Sequence, residues 1–238
     1  MLIKKLLVVI SLAGVFVAHS YADEAAVRKT LQAKYPQLSI ESVSKSPVAG
    51  LFEVYANGEM IYADENANFI LVNGSLINTS TRQNVTDESK RKLSAIKWEN
   101  LPLKNAFTRV NGNGKRKIAM FADPNCGYCK KIEHDLNNVK DVTIYTFIFP
   151  ILSEDSTTKG KGIWCSKDRV KAWNDLLLNN VTPSASPNCD NPIAENLEFG
   201  RRKGISGTPT LFLGDGQRIP GAISAAEIDR LLDDAEGK

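Results

Sequence analysis

The feature that most constrains the fold of this chain is a pair of cysteines separated by two residues, Cys126 and Cys129. They directly follow an apolar run, residues 118–122, that is typical of a β-strand, and residues 130–136 after them suit a helix. The motif is therefore predicted to open that helix, where free backbone N–H groups and the helix dipole stabilise a thiolate. Cys126 is the candidate nucleophile, and Cys129, one turn inward, is the candidate resolving thiol.

Other uses of this motif fit the sequence less well. A c-type haem site needs a histidine directly after the second cysteine, where this chain has Lys130. A zinc site would need His134 and a further cysteine, although the remaining two cysteines do not form a second CxxC. An inert disulfide would close a ring too small to contribute more than about 2 kcal/mol. We therefore expect thiol redox chemistry, with no metal and no cofactor.

The N-terminus has the layout of a cleavable signal peptide. Lys4 and Lys5 precede an apolar run that is shorter than the roughly 20 residues needed to cross a bilayer. Ser20 and Ala22 then supply the small residues of a cleavage site. Residues 1–22 are therefore predicted to be removed after Ala22, and the mature chain is predicted to be exported into an oxidising compartment. Four cysteines in such a chain suggest two pairs, and the sequence alone leaves the pairing open.

Composition mainly excludes classes of protein. The chain has 238 residues, of which 42% are hydrophobic and 24% charged, as expected for a globular protein of one or two domains. Its 30 basic and 27 acidic side chains leave a net charge of +3. This near balance argues against a nucleic-acid partner.

Strand and helix patterns divide the chain after the predicted signal peptide into three regions. Residues 23–85 suit a small α+β unit, with a helix over residues 23–35 followed by short strands. Asn57 and Gly58 favour a tight hairpin between two of those strands. Residues 86–104 include a mostly polar helix, which we interpret as a linker.

The third region, residues 105–238, contains the CxxC motif. The order strand, helix, strand, with the second strand over residues 142–149, predicts a βαβ crossover. A long helical segment follows. Near the end of the chain, residues 210–213 and 218–219 suit a hairpin, and residues 224–235 suit a closing helix.

Two further features accompany the CxxC motif. Cys165 and Cys189 flank part of the helical segment, and closing that loop would contribute about 3.5 kcal/mol in the chain-entropy model. This favours a structural disulfide over a second redox couple. Thr208 and Pro209 come just before an apolar strand, where a cis-proline would leave backbone groups of Thr208 available to pair with a substrate strand.

In this order, the motifs resemble the DsbC/DsbG family of disulfide isomerases from the periplasm of Gram-negative bacteria. The resemblance covers essentially the whole sequence and depends on residues 121–129, 163–168 and 204–209. It implies a thioredoxin-like catalytic domain with a helical insertion. A linker helix would join this domain to an N-terminal dimerisation domain of cystatin-like form, giving a combination of α+β and α/β folds.

By position, the resemblance implies a role for each site residue. Cys126 would attack, Cys129 would resolve, and Cys165 would pair with Cys189 in a structural disulfide. The residues implied to bind substrate are Gly127, Tyr128, Thr208 and cis-Pro209.

The resemblance also implies activity and partners. It implies a V-shaped homodimer that rearranges non-native disulfides in misfolded exported proteins and acts as a chaperone. The inner-membrane reductase DsbD would keep the CxxC pair reduced. The alternatives left open are a DsbG-like chaperone, a dimeric thiol oxidase, a holdase that does not need Cys126, and a zinc-binding module. Residues 62–72 are predicted to supply the edge at which two copies meet.

Overall fold

The computed structural model describes residues 20–237. Most of the predicted signal peptide, residues 1–19, lies outside the described residues, and its last three residues begin the first helix. The described chain forms two compact units. One runs to Gly74 apart from residues 57–59, and the other comprises those three residues and the chain from Ser75 onward. Within the described part, no helix is both long and apolar enough to cross a bilayer.

The first unit packs one helix against a four-stranded sheet. Helix α1 spans Ser20–Lys34, and its Val27 and Leu31 are fully buried in a cluster with strand residues such as Val54. The sheet has the order β1-β2-β3-β4. Its strands are β1 (Ile40–Lys45), β2 (Leu51–Ala56), β3 (Glu59–Asp64) and β4 (Ile70–Val72). The predicted helix and strands are confirmed, with bounds that differ by up to three residues at their ends.

A two-residue turn joins β2 to β3. Asn57 and Gly58 both have positive φ, 53° and 79°, as a type I′ turn requires. Asparagine and glycine adopt this conformation at low cost, which is why the dipeptide predicted the hairpin.

The second unit begins with a short ribbon and a polar helix. Strands β5 (Ile77–Asn78) and β6 (Gln83–Asn84) pair antiparallel. Helix α2 (Val85–Ser94) follows, and its N-cap Asn84 accepts a hydrogen bond from the Asp87 backbone N–H at 3.1 Å.

The chain after α2 packs into the core of the second unit. It forms two 3₁₀ turns, Trp98–Asn100 and Leu103–Asn105, and buries Ile96 and Leu101 in one cluster with Phe121. Much of the region interpreted as a linker is therefore part of this unit, because its few apolar side chains are buried beside the second sheet.

A five-stranded sheet, in the order β11-β10-β8-β9-β7, forms the centre of the second unit. Strands β8 and β9 are parallel, and the other neighbours are antiparallel. The strands are β7 (Phe107–Asn111), β8 (Arg116–Ala122), β9 (Val142–Ile148), β10 (Thr210–Leu213) and β11 (Arg218–Pro220). The helices are α3 (Gly127–Leu136), α4 (Glu154–Cys165), α5 (Arg169–Asn179), α6 (Ile193–Arg202) and α7 (Ala225–Ala235). Helix α3 is the crossover of the predicted βαβ unit.

Both faces of this sheet are covered, as expected for a sheet with a parallel pair at its centre. In β8, Ile118 and Met120 face a cluster that includes side chains of α3, α5 and α7. The alternate residues, Ala119 and Phe121, face the opposite cluster, where Phe121 stacks on Phe147 with ring centroids 4.4 Å apart. Strand β8 is therefore central and fully buried.

The pairing of β8 with β10 determines where the site lies. These strands are antiparallel, with Thr210 opposite Phe121. The start of β10 therefore lies beside the end of β8, and so the segment before β10 meets the segment after β8. The first segment ends with Pro209, and the second leads to Cys126.

Candidate active site

The structure brings the two predicted segments into direct contact. In its thiol form, Cys126 donates through Sγ–H to the backbone carbonyl oxygen of Thr208, 3.2 Å away. The Thr208–Pro209 peptide bond is cis. Cys126 and Thr208 lie 82 residues apart in the sequence, and only the β8–β10 pairing makes them neighbours.

Cys126 is the N-cap of α3, and its surroundings stabilise the thiolate. The Cys129 thiol, which donates a hydrogen bond, is the largest cause that lowers the pKa of Cys126, from 9.0 to about 5. The Thr208 side chain and the backbone N–H groups of Tyr128 and Cys129 lower this pKa further, whereas burial opposes them. Such donors are what the free end of a helix provides.

Cys129 lies one turn further along α3 and has the opposite protonation. Its side chain is fully buried, and burial is the largest cause that raises its pKa well above the ordinary thiol value. The Cys126 thiolate raises that pKa further, because two adjacent negative sulfurs repel one another. The reduced pair therefore consists of one thiolate and one thiol near neutral pH.

The other predicted site residues surround this pair. Gly127 and Tyr128 are exposed at the first turn of α3, and Pro209 is buried beside them at the entry to β10. Cys126 and Cys129 are free thiols, whereas Cys165 and Cys189 form a disulfide between the end of α4 and the loop before α6. His134 is exposed on α3, so it does not join the cysteines at the site.

The structure also shows a buried carboxylate that sequence reasoning did not single out. Asp123 is fully buried three residues before Cys126. Its Oδ1 accepts the Asn125 backbone N–H at 2.8 Å, and its Oδ2 accepts the Leu152 backbone N–H at 2.9 Å. Asp123 therefore fixes the turn before the nucleophile to the loop that follows β9. The signal in the sequence was the Asp123-Pro124 dipeptide, because Asp-Pro favours a turn and an aspartate side chain can accept the backbone N–H two residues on.

Asn125 fastens the same turn to the start of α4. Its Nδ2 donates to Asp155 Oδ2 at 2.7 Å and to Ser156 Oγ at 3.1 Å. Its Oδ1 accepts from the Lys159 ammonium at 2.9 Å, and Lys159 also pairs with Asp155 at 2.7 Å. These contacts join segments about 30 residues apart, and no local sequence pattern indicates them.

A second buried charge supports α3 from within the core. Glu133, one turn after Cys129, accepts from Trp173 Nε1 at 2.6 Å and pairs with Arg109 Nη2 at 2.8 Å. The Glu133 side chain is almost fully buried, and Arg109 is largely so. This ion pair ties α3 to β7 and α5.

Within residues 20–237, no group of three or more histidine, cysteine, aspartate or glutamate side chains is placed to hold a metal ion. The further cysteine that a zinc site would need is not available as a thiolate, since both remaining cysteines are bonded to each other.

Comparison with family models gives two matches. Residues 103–236 match a thioredoxin-like domain, and residues 18–87 match a disulfide bond isomerase protein N-terminal domain. The first match contains all four cysteines, and together the two matches cover most of the chain.

Comparison with curated proteins gives relatives over nearly the full length. The chain is 43% identical over 207 residues to a protein of Bordetella avium named probable thiol:disulfide interchange protein DsbC, which covers 87% of this chain and 74% of the relative. It is 30% identical over 240 residues to the thiol:disulfide interchange protein DsbC of Escherichia coli K12, covering 97% and 96%. Among solved structures, a disulfide interchange protein from Neisseria gonorrhoeae is 37% identical, with a TM-score of 0.55, and covers 57% of this chain and 99% of its own.

Proposed function

This chain belongs to the DsbC family of thiol:disulfide interchange proteins, and from that premise we propose how its residues perform disulfide isomerisation. The enzyme acts on proteins that contain disulfides, through its thioredoxin-like domain. The observation that best supports the proposal is the unequal pair at the start of α3, a stabilised thiolate at Cys126 and a buried thiol at Cys129. This pair lies against the Thr208–Pro209 loop.

Exchange starts at Cys126. Its thiolate attacks one sulfur of a non-native disulfide, forming an enzyme–substrate S–S bond as the substrate S–S bond breaks. The other substrate sulfur leaves as a thiolate. That thiolate can attack a different disulfide of the same molecule, and a final attack on the mixed disulfide releases Cys126 as a thiolate again. No electrons are gained or lost overall, as isomerisation requires.

Cys129 provides the alternative exit. It can attack the mixed disulfide, which oxidises the enzyme pair and releases a substrate sulfur that takes up the Cys129 proton. Because burial holds Cys129 as a thiol, this attack is slow in the absence of a base. The delay favours rearrangement within the substrate over simple reduction.

Substrate binding is assigned to the walls of the same site. Gly127 and Tyr128 are exposed beside Cys126, and the backbone of Thr208 lies just before β10, outside the pairing of β10 with β8. An extended substrate segment can pair with such a backbone. Cys165 and Cys189 have a structural role in this scheme, since their disulfide closes the α4–α5 insertion away from the exchanging sulfurs.

The first unit is proposed to form the homodimer. Strand β4 is the edge of its sheet, and Ile70, Leu71 and Val72 are exposed on it, next to Phe69, which is 78% exposed. An exposed apolar edge strand is a template for pairing with another chain. Two copies meeting there would bury these side chains. Tyr62, at the start of the predicted range, lies on β3, one strand in from this edge, and its hydroxyl donates to Glu53 Oε1 at 3.4 Å.

Export, chaperone activity and the source of electrons complete the proposal. The signal-peptide pattern of residues 1–22 supports export to the periplasm. There, isomerisation requires a reductant, which we assign to the inner-membrane protein DsbD. The exposed Tyr128 side chain, two residues after Cys126, offers apolar surface that supports binding of misfolded proteins as a chaperone.

Refolding of scrambled ribonuclease by the mature chain tests the mechanism. The wild type should restore ribonuclease activity, Cys126→Ala should abolish this, and Cys129→Ala should accumulate mixed disulfides with the substrate. The thiol state of the CxxC pair is trapped in the exporting cell in parallel. A mostly oxidised pair without unscrambling would favour the alternative of a dimeric thiol oxidase, and chaperone activity that persists without Cys126 would favour a holdase role.

A further inference from the structure

Two exposed aliphatic residues lie in the loop that contacts the turn before the nucleophile. Ile151 and Leu152 follow β9 and are 38% and 57% exposed. The Leu152 backbone N–H binds the Asp123 carboxylate, and Ser153 Oγ accepts a hydrogen bond from Asn125 Nδ2 at 3.3 Å. The loop that carries both side chains therefore runs alongside the turn leading into Cys126.

This loop is held by buried polar groups. Asp123 is fully buried, and both of its carboxylate oxygens accept hydrogen bonds from backbone N–H groups, one in the turn and one in the loop. Ser156, also fully buried, accepts from Asn125. Burying a charge and a hydroxyl costs free energy unless their bonding is satisfied, so the arrangement is a specific one. Its effect is to fix the loop that carries two exposed apolar side chains to the turn that leads into the reactive sulfur.

We infer that Ile151 and Leu152 form a contact surface for hydrophobic side chains that flank the substrate's disulfide. This inference rests on the proposed function and deepens it, because it names the chemistry that selects the polypeptide. The occupant is an extended segment of a misfolded protein chain.

The position of the loop determines that occupant. Cys126 must touch a substrate sulfur, and an extended chain advances only about 3.3 Å per residue. The residues next to the substrate cysteine therefore pass within reach of whatever borders Cys126. The Thr208–Pro209 loop borders Cys126 directly, and the loop of Ile151 and Leu152 borders the turn that leads into Cys126. Apolar side chains are buried in folded proteins and exposed in misfolded ones, so this border distinguishes the two.

Steady-state kinetics with two synthetic disulfide peptides tests the inference. One peptide has leucine on both sides of a cysteine, and the other has serine at the same positions. In the double variant Ile151→Ser with Leu152→Ser, we expect KM for the leucine peptide to rise about tenfold, as for other losses of apolar contacts, with kcat unchanged. KM for the serine peptide should not change. Both substitutions leave the Leu152 backbone N–H in place.

A matched control separates this effect from a general loss of apolar surface. Val110 is 59% exposed on β7, outside the site, and Val110→Ser should leave KM for both peptides unchanged. The rate of the double variant with oxidised glutathione should also equal that of the wild type, which shows that the thiol chemistry is intact.

Each other result overturns the inference. An equal loss on both peptides would show that the loop supports the CxxC turn without selecting substrates. Unchanged kinetics on both would show that substrate side chains do not reach the loop. Loss of activity towards glutathione as well would show that the two side chains maintain the CxxC pair and do not select substrates, whereas a wild type inactive towards every disulfide would contradict the proposed function itself.

Discussion

The two cysteine pairs of this molecule lie in the same unit and have opposite states. Cys126 and Cys129 are buried, three positions apart, and remain free thiols. Cys165 and Cys189 are less buried, 24 positions apart, and are joined in a disulfide. Exposure alone would suggest that the second pair is the reactive one.

The difference lies in what surrounds each sulfur. Cys126 caps a helix and receives hydrogen bonds from a thiol and from backbone N–H groups, so that its charged form is stabilised. Cys165 ends α4 and bonds to the loop before α6, where the disulfide closes a long loop. Reactivity therefore follows thiolate stability, and structural value follows loop length. Four predictions test this contrast.

The largest expected effect is selectivity of alkylation in the reduced protein. With a pKa of about 5, Cys126 is almost entirely thiolate at pH 7, whereas Cys129 remains a buried thiol. Iodoacetamide should therefore modify Cys126 faster than Cys129 by on the order of a thousandfold. Because the pKa is lowered, the Cys126 rate should be constant above about pH 6 and fall about tenfold per unit below pH 5. Mass spectrometry of timed samples measures both rates, and a midpoint near pH 8.5 would contradict the assigned surroundings.

Removing the other pair should affect stability and not chemistry. Replacing Cys165 and Cys189 together by serine should lower the free energy of unfolding by about 3.5 kcal/mol in the chain-entropy model. Urea denaturation measures this change, with Cys126 and Cys129 reduced in both proteins and the Cys165–Cys189 disulfide intact in the wild type. Under conditions where the variant remains folded, its ribonuclease-refolding rate should match that of the wild type. A large loss of rate in the folded variant would mean that the second pair participates in exchange.

The stability of the protein should depend on Glu133, the buried charge on the helix that carries the reactive pair. Glu133→Gln leaves Arg109 without its carboxylate partner, and breaking such a pair costs about 3 kcal/mol. Denaturation followed by far-UV circular dichroism measures this cost. Glu198→Gln removes an exposed pair with Arg201 on α6 and should cause no measurable change. Equal effects of both substitutions would show that burial of the Glu133 pair is irrelevant.

The smallest effect is expected within the loop that the disulfide closes. Asp168 caps α5 by accepting the Lys171 backbone N–H at 2.9 Å, so Asp168→Ala should cost about 1 kcal/mol. Asp168→Asn should retain most of that stability, because asparagine caps helices equally well. Thermal unfolding of the two variants compares them. If the asparagine variant loses as much as the alanine variant, the contribution comes from charge and not from the cap.

The parts of the fold that local patterns specify could be predicted. The β8–α3–β9 crossover, the Asn57-Gly58 turn and the hairpin of β10 and β11 follow from apolar runs and turn residues. Strand β7 was not predicted, because its inward position at Arg109 is charged and interrupts the apolar alternation. That charge is buried only because Glu133 meets it from α3, a contact that requires the tertiary fold.

The residues of the site likewise divide into those that a local sequence pattern predicts and those that it does not. The CxxC motif and the Thr208-Pro209 dipeptide indicated the reacting sulfurs and the loop facing them, since each has a short sequence signature. The contacts of Asn125 with Asp155 and Lys159 had no such signature, because they depend on how α4 packs beside the turn. The exposed pair Ile151 and Leu152 was missed for the same reason.

The unequal protonation of the CxxC pair also sets its electrochemistry. The reduced pair holds one proton near neutral pH, so closing its disulfide releases two electrons and a single proton. Its midpoint potential should therefore change by about 30 mV per pH unit, against about 60 mV for an ordinary dithiol that releases two protons. Each unit of acidification above pH 5 then shifts the equilibrium about tenfold towards passing electrons from this enzyme to the disulfides of its substrates.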